Sequence, residues 1–363
     1  MSVHSASAQE MFSGTKEVAD THKFNEDNLF QWMTDNVEGF EGPMDVRQFK
    51  GGQSNPTFKL ITPKKAYVMR RKPPGKLLPS AHAVDREFRV IDALYPLGYP
   101  VARPYALCED TDVVGTMFYV MDHVEGRILW DGTLPDYEPE QRRAIYEAKV
   151  NTFADLHNVD WKKAGLEGFG KEGDYVARQI HRWTKQYTAS ETKTISEMDK
   201  LIEWLPKNLP ENETTTIVHG DYRLDNMILH PTEPKVIAVL DWELSTLGDP
   251  LADFTYHLMN WVMPSSDGRG AIVDIPDLKA YGIPSMEEYI GMYCDRRGIS
   301  GGLPEVSYYF AYNAFRLAAI CQGIVGRVRD GTASNANATA MEARVPALAS
   351  FAYDQAQKAG MEA

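Results

Sequence analysis

The segment best equipped for chemistry reads His219-Gly220-Asp221-Tyr222-Arg223-Leu224-Asp225-Asn226, and twenty positions after Asp221 comes Val239-Leu240-Asp241-Trp242-Glu243. Each acidic group follows a β-branched run, Thr215 to Val218 in one case and Val236 to Leu240 in the other, so both are expected at strand ends. Moving a phosphoryl group from ATP asks little covalent work of a protein. It needs a carboxylate to orient an attacking hydroxyl and take its proton, and oxygen ligands that hold Mg²⁺ against the phosphates. This segment supplies both.

Positioning these groups requires a scaffold, and the hydrophobic period suggests one. From Asn25 to Val37 apolar residues recur at helical spacing after a polar, loose tail over 1–24. Val46 to Phe49, Thr57 to Ile61 and Ala66 to Arg70 read as three strands, joined by Gly51-Gly52-Gln53-Ser54-Asn55 and then by Pro63-Lys64-Lys65. Ala83 to Leu94 has one apolar helical face, and runs at Tyr105 to Cys108 and Thr116 to Val120 complete an expected five-stranded sheet. Residues 25–122 therefore form an expected β-rich N-terminal lobe. Residues 123–363 form a larger, mainly helical lobe, with periodic segments near 138–157, 172–188, 194–205, 249–263, 303–326 and 335–359.

His219-x-Asp221, with Asn226 five residues after the aspartate, resembles the catalytic loop of the aminoglycoside phosphotransferase and choline kinase-like family. The resemblance implies an α+β, two-lobed, protein-kinase-like fold. It makes Asp221 the catalytic base, Asn226 and Asp241 the Mg²⁺ ligands, and His219 a packed scaffold residue. Gly51, Gly52, Ser54 and Asn55 look like the family's short phosphate-covering loop, where small residues let backbone N–H groups approach the nucleotide. Arg70 then stands where kinases place the phosphate-contacting lysine, with Arg71 as the other register, and Glu87 stands where they place its ion-pair partner. Met121-Asp122-His123-Val124 matches the hinge, so backbone groups at Met121 and His123 are expected along the adenine edge. Asp249 and Asp253 would brace the catalytic loop from beneath. Gly51-Gly52-Gln53-Ser54-Asn55-Pro56, Arg70-Arg71-Lys72-Pro73-Pro74-Gly75 and Ser80-Ala81-His82 look like the kinase-like domains fused to some acyl-CoA dehydrogenases. That subgroup implies hydroxyacyl-CoA acceptors.

Composition narrows the partners. A formal charge of −13 argues against nucleic acid, and no apolar run is long enough to span a bilayer, so the cytoplasm is the expected compartment. Cys108, Cys294 and Cys321 are too scattered for a disulfide framework or a thiolate zinc site. Two acceptors compete. Net negative charge suits a polycationic aminoglycoside, whereas the basic cluster Lys64, Lys65, Arg70, Arg71, Lys72 and Lys76 suits a nucleotide-tailed thioester. A catalytically silent nucleotide-binding pseudokinase is the third reading, and retention of Asp221, Asn226 and Asp241 speaks against it. Arg316 and the aromatics from Tyr308 to Phe315 read as helical core.

Overall fold

The computed structural model of the chain describes residues 14–50, 55–75, 82–211, 214–263, 272–303, 306–331 and 338–362. The N-terminal part is an antiparallel sheet of β1 (Thr15–Lys16), β2 (Asp45–Phe49), β3 (Thr57–Ile61), β4 (Ala66–Arg71), β5 (Pro104–Cys108) and β6 (Phe118–Asp122), ordered β1-β2-β3-β4-β6-β5. The period-2 pattern sorts its side chains cleanly. Phe58, Leu60, Tyr67, Met69, Phe118 and Val120 point to one face, where Leu29 and Met33 of helix α1 (Glu26–Asn36) cover them. Val68, Tyr119 and Met121 point to the other, against Val84, Ile91 and Leu94 of α2 (Val84–Leu94). Because β4 alternates, Arg70 takes the α2 side. Arg71 goes to the α1 side, where its guanidinium donates to the Val114 carbonyl at 3.0 Å and lies 5.2 Å from the Phe24 ring centroid.

The sheet has six strands among the described residues rather than the expected five, because part of the segment read as a loose tail joins it. Thr15 and Lys16 pair with Phe49 and Gln48, and the Phe24 ring packs edge-on against Phe58. A polar composition hid this, since two short ladder contacts and one aromatic anchor leave almost no periodic trace. The last strand also runs to Asp122 rather than stopping at Val120.

After α3 (Thr111–Val114) and the sheet, the chain crosses into helices. These are α4 (Pro139–Asn158), α5 (Tyr175–Ser190), α6 (Ser196–Trp204), α7 (Pro250–Leu258), α8 (Leu278–Tyr281), α9 (Met286–Arg297), α10 (Ser307–Arg329) and α11 (Ala338–Lys358). Two small ribbons sit among them: β7 (Thr216–Val218) pairs with β10 (Thr246–Gly248), and β8 (Met227–Leu229) with β9 (Val236–Val239). The ribbons hold the loops that carry Asp221 and Asp241. No helix among the described residues is long and apolar enough to cross a membrane.

The crossing is tight. Arg127 and Leu229 exchange backbone hydrogen bonds at 2.8 Å, and a Cβ placed on Gly126 would lie 2.2 Å from the Leu229 carbonyl oxygen. Gly126→Ala must push the hinge off β8, and overpacking of this kind costs about 1–3 kcal/mol. A urea titration should show the midpoint falling with the slope unchanged; an unaltered midpoint would mean that the hinge yields freely.

Candidate active site

The floor of the site is built from backbone. Asp221 lies in the turn after β7, past Gly220, whose φ of +85° is a conformation that L side chains rarely adopt. A Cβ there would also sit 2.9 Å from the Leu244 Cβ. The turn is pinned from below by Asp253 on α7, whose carboxylate accepts the His219 N–H at 2.6 Å and the Gly220 N–H at 2.9 Å. Burial alone would raise that carboxyl, but the His157 ring and these amides hold it below its ordinary value. Asp249 does something else: it caps α7 by accepting from the Leu251 N–H at 2.6 Å and takes the Tyr309 hydroxyl at 3.0 Å.

His219 is wholly buried and joins the two chemistry-bearing loops. The Asp221 N–H donates to its Nδ1 at 3.2 Å, which leaves the proton on Nε2, and Nε2 donates to the Leu240 carbonyl at 2.8 Å. The Leu240 N–H in turn donates to the Asn226 carbonyl at 2.8 Å. Asp241 follows at once in the left-handed region, φ +62° and ψ +60°, a strained turn at the end of β9.

Above this floor lies a cavity of about 430 Å³ between the sheet and the helical part. Arg70, Asn226 and Asp241 all line it, as do Asp225 and the hinge from Met121 to Gly126. The Asn226 Nδ2 donates to the Asp221 carboxylate at 3.1 Å and to its carbonyl at 2.9 Å, which turns the amide oxygen away from Asp221. Arg70 reaches across the cleft. It pairs with Glu87 at 2.7 Å and donates to Asp241 Oδ1 at 2.6 Å, with Glu243 at 3.7 Å. Burial disfavours its charge, yet Glu87 and Asp241 raise its pKa above the ordinary value. Glu87 is held as well by the Asn55 amide at 2.8 Å and the Tyr119 hydroxyl at 3.2 Å.

Of the residues singled out in the sequence, Arg70, Glu87, Asn55, Met121, His123, Asn226 and Asp241 thus meet at or behind one cavity, and Asp221 touches it through Asn226. Gly51, Gly52 and Ser54 lie outside the described residues. Asn55 is fully buried as a strut on Glu87 and His82, which uses both ends of its amide. The His123 N–H is spent on the Ala66 carbonyl at 3.3 Å, and its ring stacks on Phe49. The basic cluster does not gather into a patch, because Lys64 pairs with Glu41, Lys65 with Asp122, and Arg71 is buried; Lys76 lies outside the described residues.

Among the described residues, no three or more His, Cys, Asp or Glu side chains come together as a metal cage. A hard cation that keeps water and phosphate oxygens fits the sparser set of one carboxylate and one amide oxygen, and Mg²⁺ is such a cation. The apolar part of the cavity, with Val68, Ala102, Met121, Ile228 and Val239, suits a flat heterocycle.

Sequence reasoning missed Asp225 and Lys149. Burial raises the Asp225 carboxyl above its ordinary value. Behind it, burial drops the Lys149 ammonium on α4 to about 7, with Asp225 pulling the other way. The signal was present: Lys149 falls in the buried stripe of Tyr146, Val150 and Phe153.

A strand-rich lobe hinged to a helical lobe, with a polar cleft between, defines the protein-kinase-like fold. The chain belongs to the phosphotransferase enzyme family, whose family model matches residues 45–289. It is 46% identical over 322 residues to acyl-CoA dehydrogenase family member 10 of Mus musculus, covering 88% of this chain and 30% of that protein. The chain therefore spans about a third of that relative's length. A crystal structure of a candidate aminoglycoside phosphotransferase from Ralstonia eutropha is 49% identical, with a TM-score of 0.84 over 93% of this chain and 99% of that one. Choline kinase from Cryptosporidium parvum, at 12% identity, shares the fold with a TM-score of 0.64 over 92% of this chain and 97% of its own.

Lys149 yields a stability prediction. Its folded pKa of about 7 lies below its unfolded value near 10.5, so the cost of burying its charge grows as pH falls between those limits and is constant below them. Lys149→Met should stabilise the fold by a few kcal/mol at neutral pH, with the gain shrinking as pH rises and vanishing above about pH 10.5. Urea midpoints at both pH values check this, and a gain independent of pH contradicts it.

Proposed function

We propose that this chain is an ATP- and Mg²⁺-dependent phosphotransferase that moves the γ-phosphoryl group to a hydroxyl of a small molecule, with a hydroxyacyl-CoA as the favoured acceptor. The observation that carries the reading is the convergence of Arg70, Asn226 and Asp241 on one cavity whose far wall is apolar, with Asp221 tied to Asn226. Asn226 and Asp241 would hold Mg²⁺, which when bound neutralises charge on the nucleotide phosphates. The protein's own work is placement. Arg70 is locked by Glu87 so that its guanidinium faces the phosphates, and Asp221 is locked by Asn226 and by the His219 turn to receive the acceptor's proton.

Similarity to a protein whose name includes acyl-CoA dehydrogenase favours the thioester acceptor, and the net charge of −13 with the Ralstonia relative favours an aminoglycoside as the second reading. Asp221→Asn should lower turnover by about 10²- to 10⁴-fold, the usual loss with a general base, while calorimetric ATP binding stays close to wild type. Retention of full turnover would remove Asp221 from its role. Asp241→Ala should abolish the Mg²⁺ dependence of ATP binding; wild-type ATP binding indifferent to Mg²⁺ would favour the silent nucleotide-binding module.

A further inference from the structure

Beyond the nucleotide cavity, on the helical side of Asp221, lies a cationic and aromatic shelf. Arg316 of α10 is the centre of it. Its guanidinium sits 5.0 Å from the Tyr256 ring centroid and 5.9 Å from that of Trp183. Its buried Nε has no hydrogen-bond acceptor, and among the described residues no carboxylate forms an ion pair with it. Asp253 is near enough to act on Arg316 electrostatically, but its oxygens already serve the His219 and Gly220 amides and the His157 ring. An unpaired guanidinium in such a place is costly unless something completes it.

The shelf also borders the reacting end of the site. The Tyr256 hydroxyl lies in the fields of Asp221, Arg316 and Arg223 together, and Arg223 pairs with Asp221 at 3.2 Å. A second cation, the exposed Arg182, lies 5.2 Å from the same Trp183 ring. Arg316, Trp183 and Tyr256 are all partly exposed, so the shelf is open to a ligand. Arg223 is shared between Asp221 and Asp225, whereas no carboxylate among the described residues forms an ion pair with Arg316, so Arg316 is the cation on this side that can take a further anion.

We propose that Arg316, on its shelf of Trp183 and Tyr256, is the subsite that holds a negatively charged oxygen group of the acceptor, so that the acceptor is a hydroxylated anion and not a cation. The inference rests on the phosphotransferase reading and decides between its acceptors. A carboxylate of a free hydroxy acid and a phosphate of a thioester's nucleotide tail offer the same chemistry to a guanidinium.

The test is ADP release from Mg²⁺-ATP with four acceptors: a β-hydroxycarboxylate, the CoA thioester of the same acid, kanamycin and choline. One of the two anions should be phosphorylated with the highest kcat/KM, and which of them leads identifies the source of the charge. Arg316→Gln should raise the KM for that acceptor by about 10- to 100-fold with the KM for ATP unchanged, and Arg316→Lys should recover part of the loss. Arg182→Gln, at an exposed position, guards against misfolding of the first variant. It should raise the acceptor KM by about 3- to 10-fold and flatten its dependence on salt. Preference for kanamycin or choline, turnover of neither anion, or an acceptor KM indifferent to both glutamine variants overturns the proposal. Failure of the underlying reading shows separately, as absence of Mg²⁺-dependent ATP binding in the wild-type chain.

Discussion

One guanidinium holds the two halves of this site in register. Arg70 leaves β4 on the side of the sheet that faces α2, and there it meets Glu87 of α2 at 2.7 Å and Asp241, after β9, at 2.6 Å. Its charge and that of Glu87 are nearly excluded from water, with side-chain exposures of 11% and 1%. A buried pair of this kind gains little net stability, because desolvation offsets the attraction; what it contributes is geometry, since either partner left alone would be strongly unfavourable. The sheet therefore cannot slide over the helical lobe without separating Arg70 from Asp241. In the proposed function, a phosphate entering the cleft would compete with Asp241 for the same guanidinium, which would link nucleotide entry to release of the Asp241 carboxylate.

The lower half of the site uses a different device, a carboxylate spent wholly on backbone. Asp253 satisfies the amides of His219 and Gly220, which face no strand partner at the turn, and so fixes a loop that propensity alone would leave mobile. His219 then carries that rigidity sideways, through Leu240 to the left-handed turn at Asp241. Neither residue has to touch a substrate. Their burial explains why a histidine in so polar a motif belongs to the scaffold.

Much of this was legible from residue order. The strands, α2 and the two acidic loops follow from period and turn chemistry, and the alternation along β4 decides between Arg70 and Arg71 once the apolar partners Tyr67 and Met69 are known to share a face. What escaped was carried by single polar residues inside apolar stripes. Lys149 sits in the stripe of α4, and a pattern search for hydrophobic period passes over it; Glu87 sits likewise in the stripe of α2 and was reached only through the family resemblance. The ladder at Thr15 and Lys16 escaped for the opposite reason, being too short to have a period. Helices α8 and α9 escaped too, and α9 mixes charged and aromatic residues around its circumference. The expected basic patch failed because sequence proximity on a hairpin says nothing about faces: Lys64 and Lys65 find acidic partners while Arg71 turns into the core.

Charge makes the same point on the scale of the whole chain. A total of −13 describes the surface that a distant partner meets, and it suits a protein that avoids polyanions. Recognition happens within a Debye length, where the local arrangement outweighs the sum. Around Asp221 the signs alternate: Arg223 pairs with Asp221 and Asp225, and Asn226 donates to Asp221, while Arg316 and Asp253 both act on nearby Tyr256. Cations set among carboxylates in this way have a chemical use. In the proposed reaction a phosphoryl group and an anionic acceptor would approach each other, and fixed cations beside them would lower the cost of bringing them together. Net charge therefore bears on how the protein meets its surroundings, and in the proposed reading the shelf beside α10 bears on what it admits.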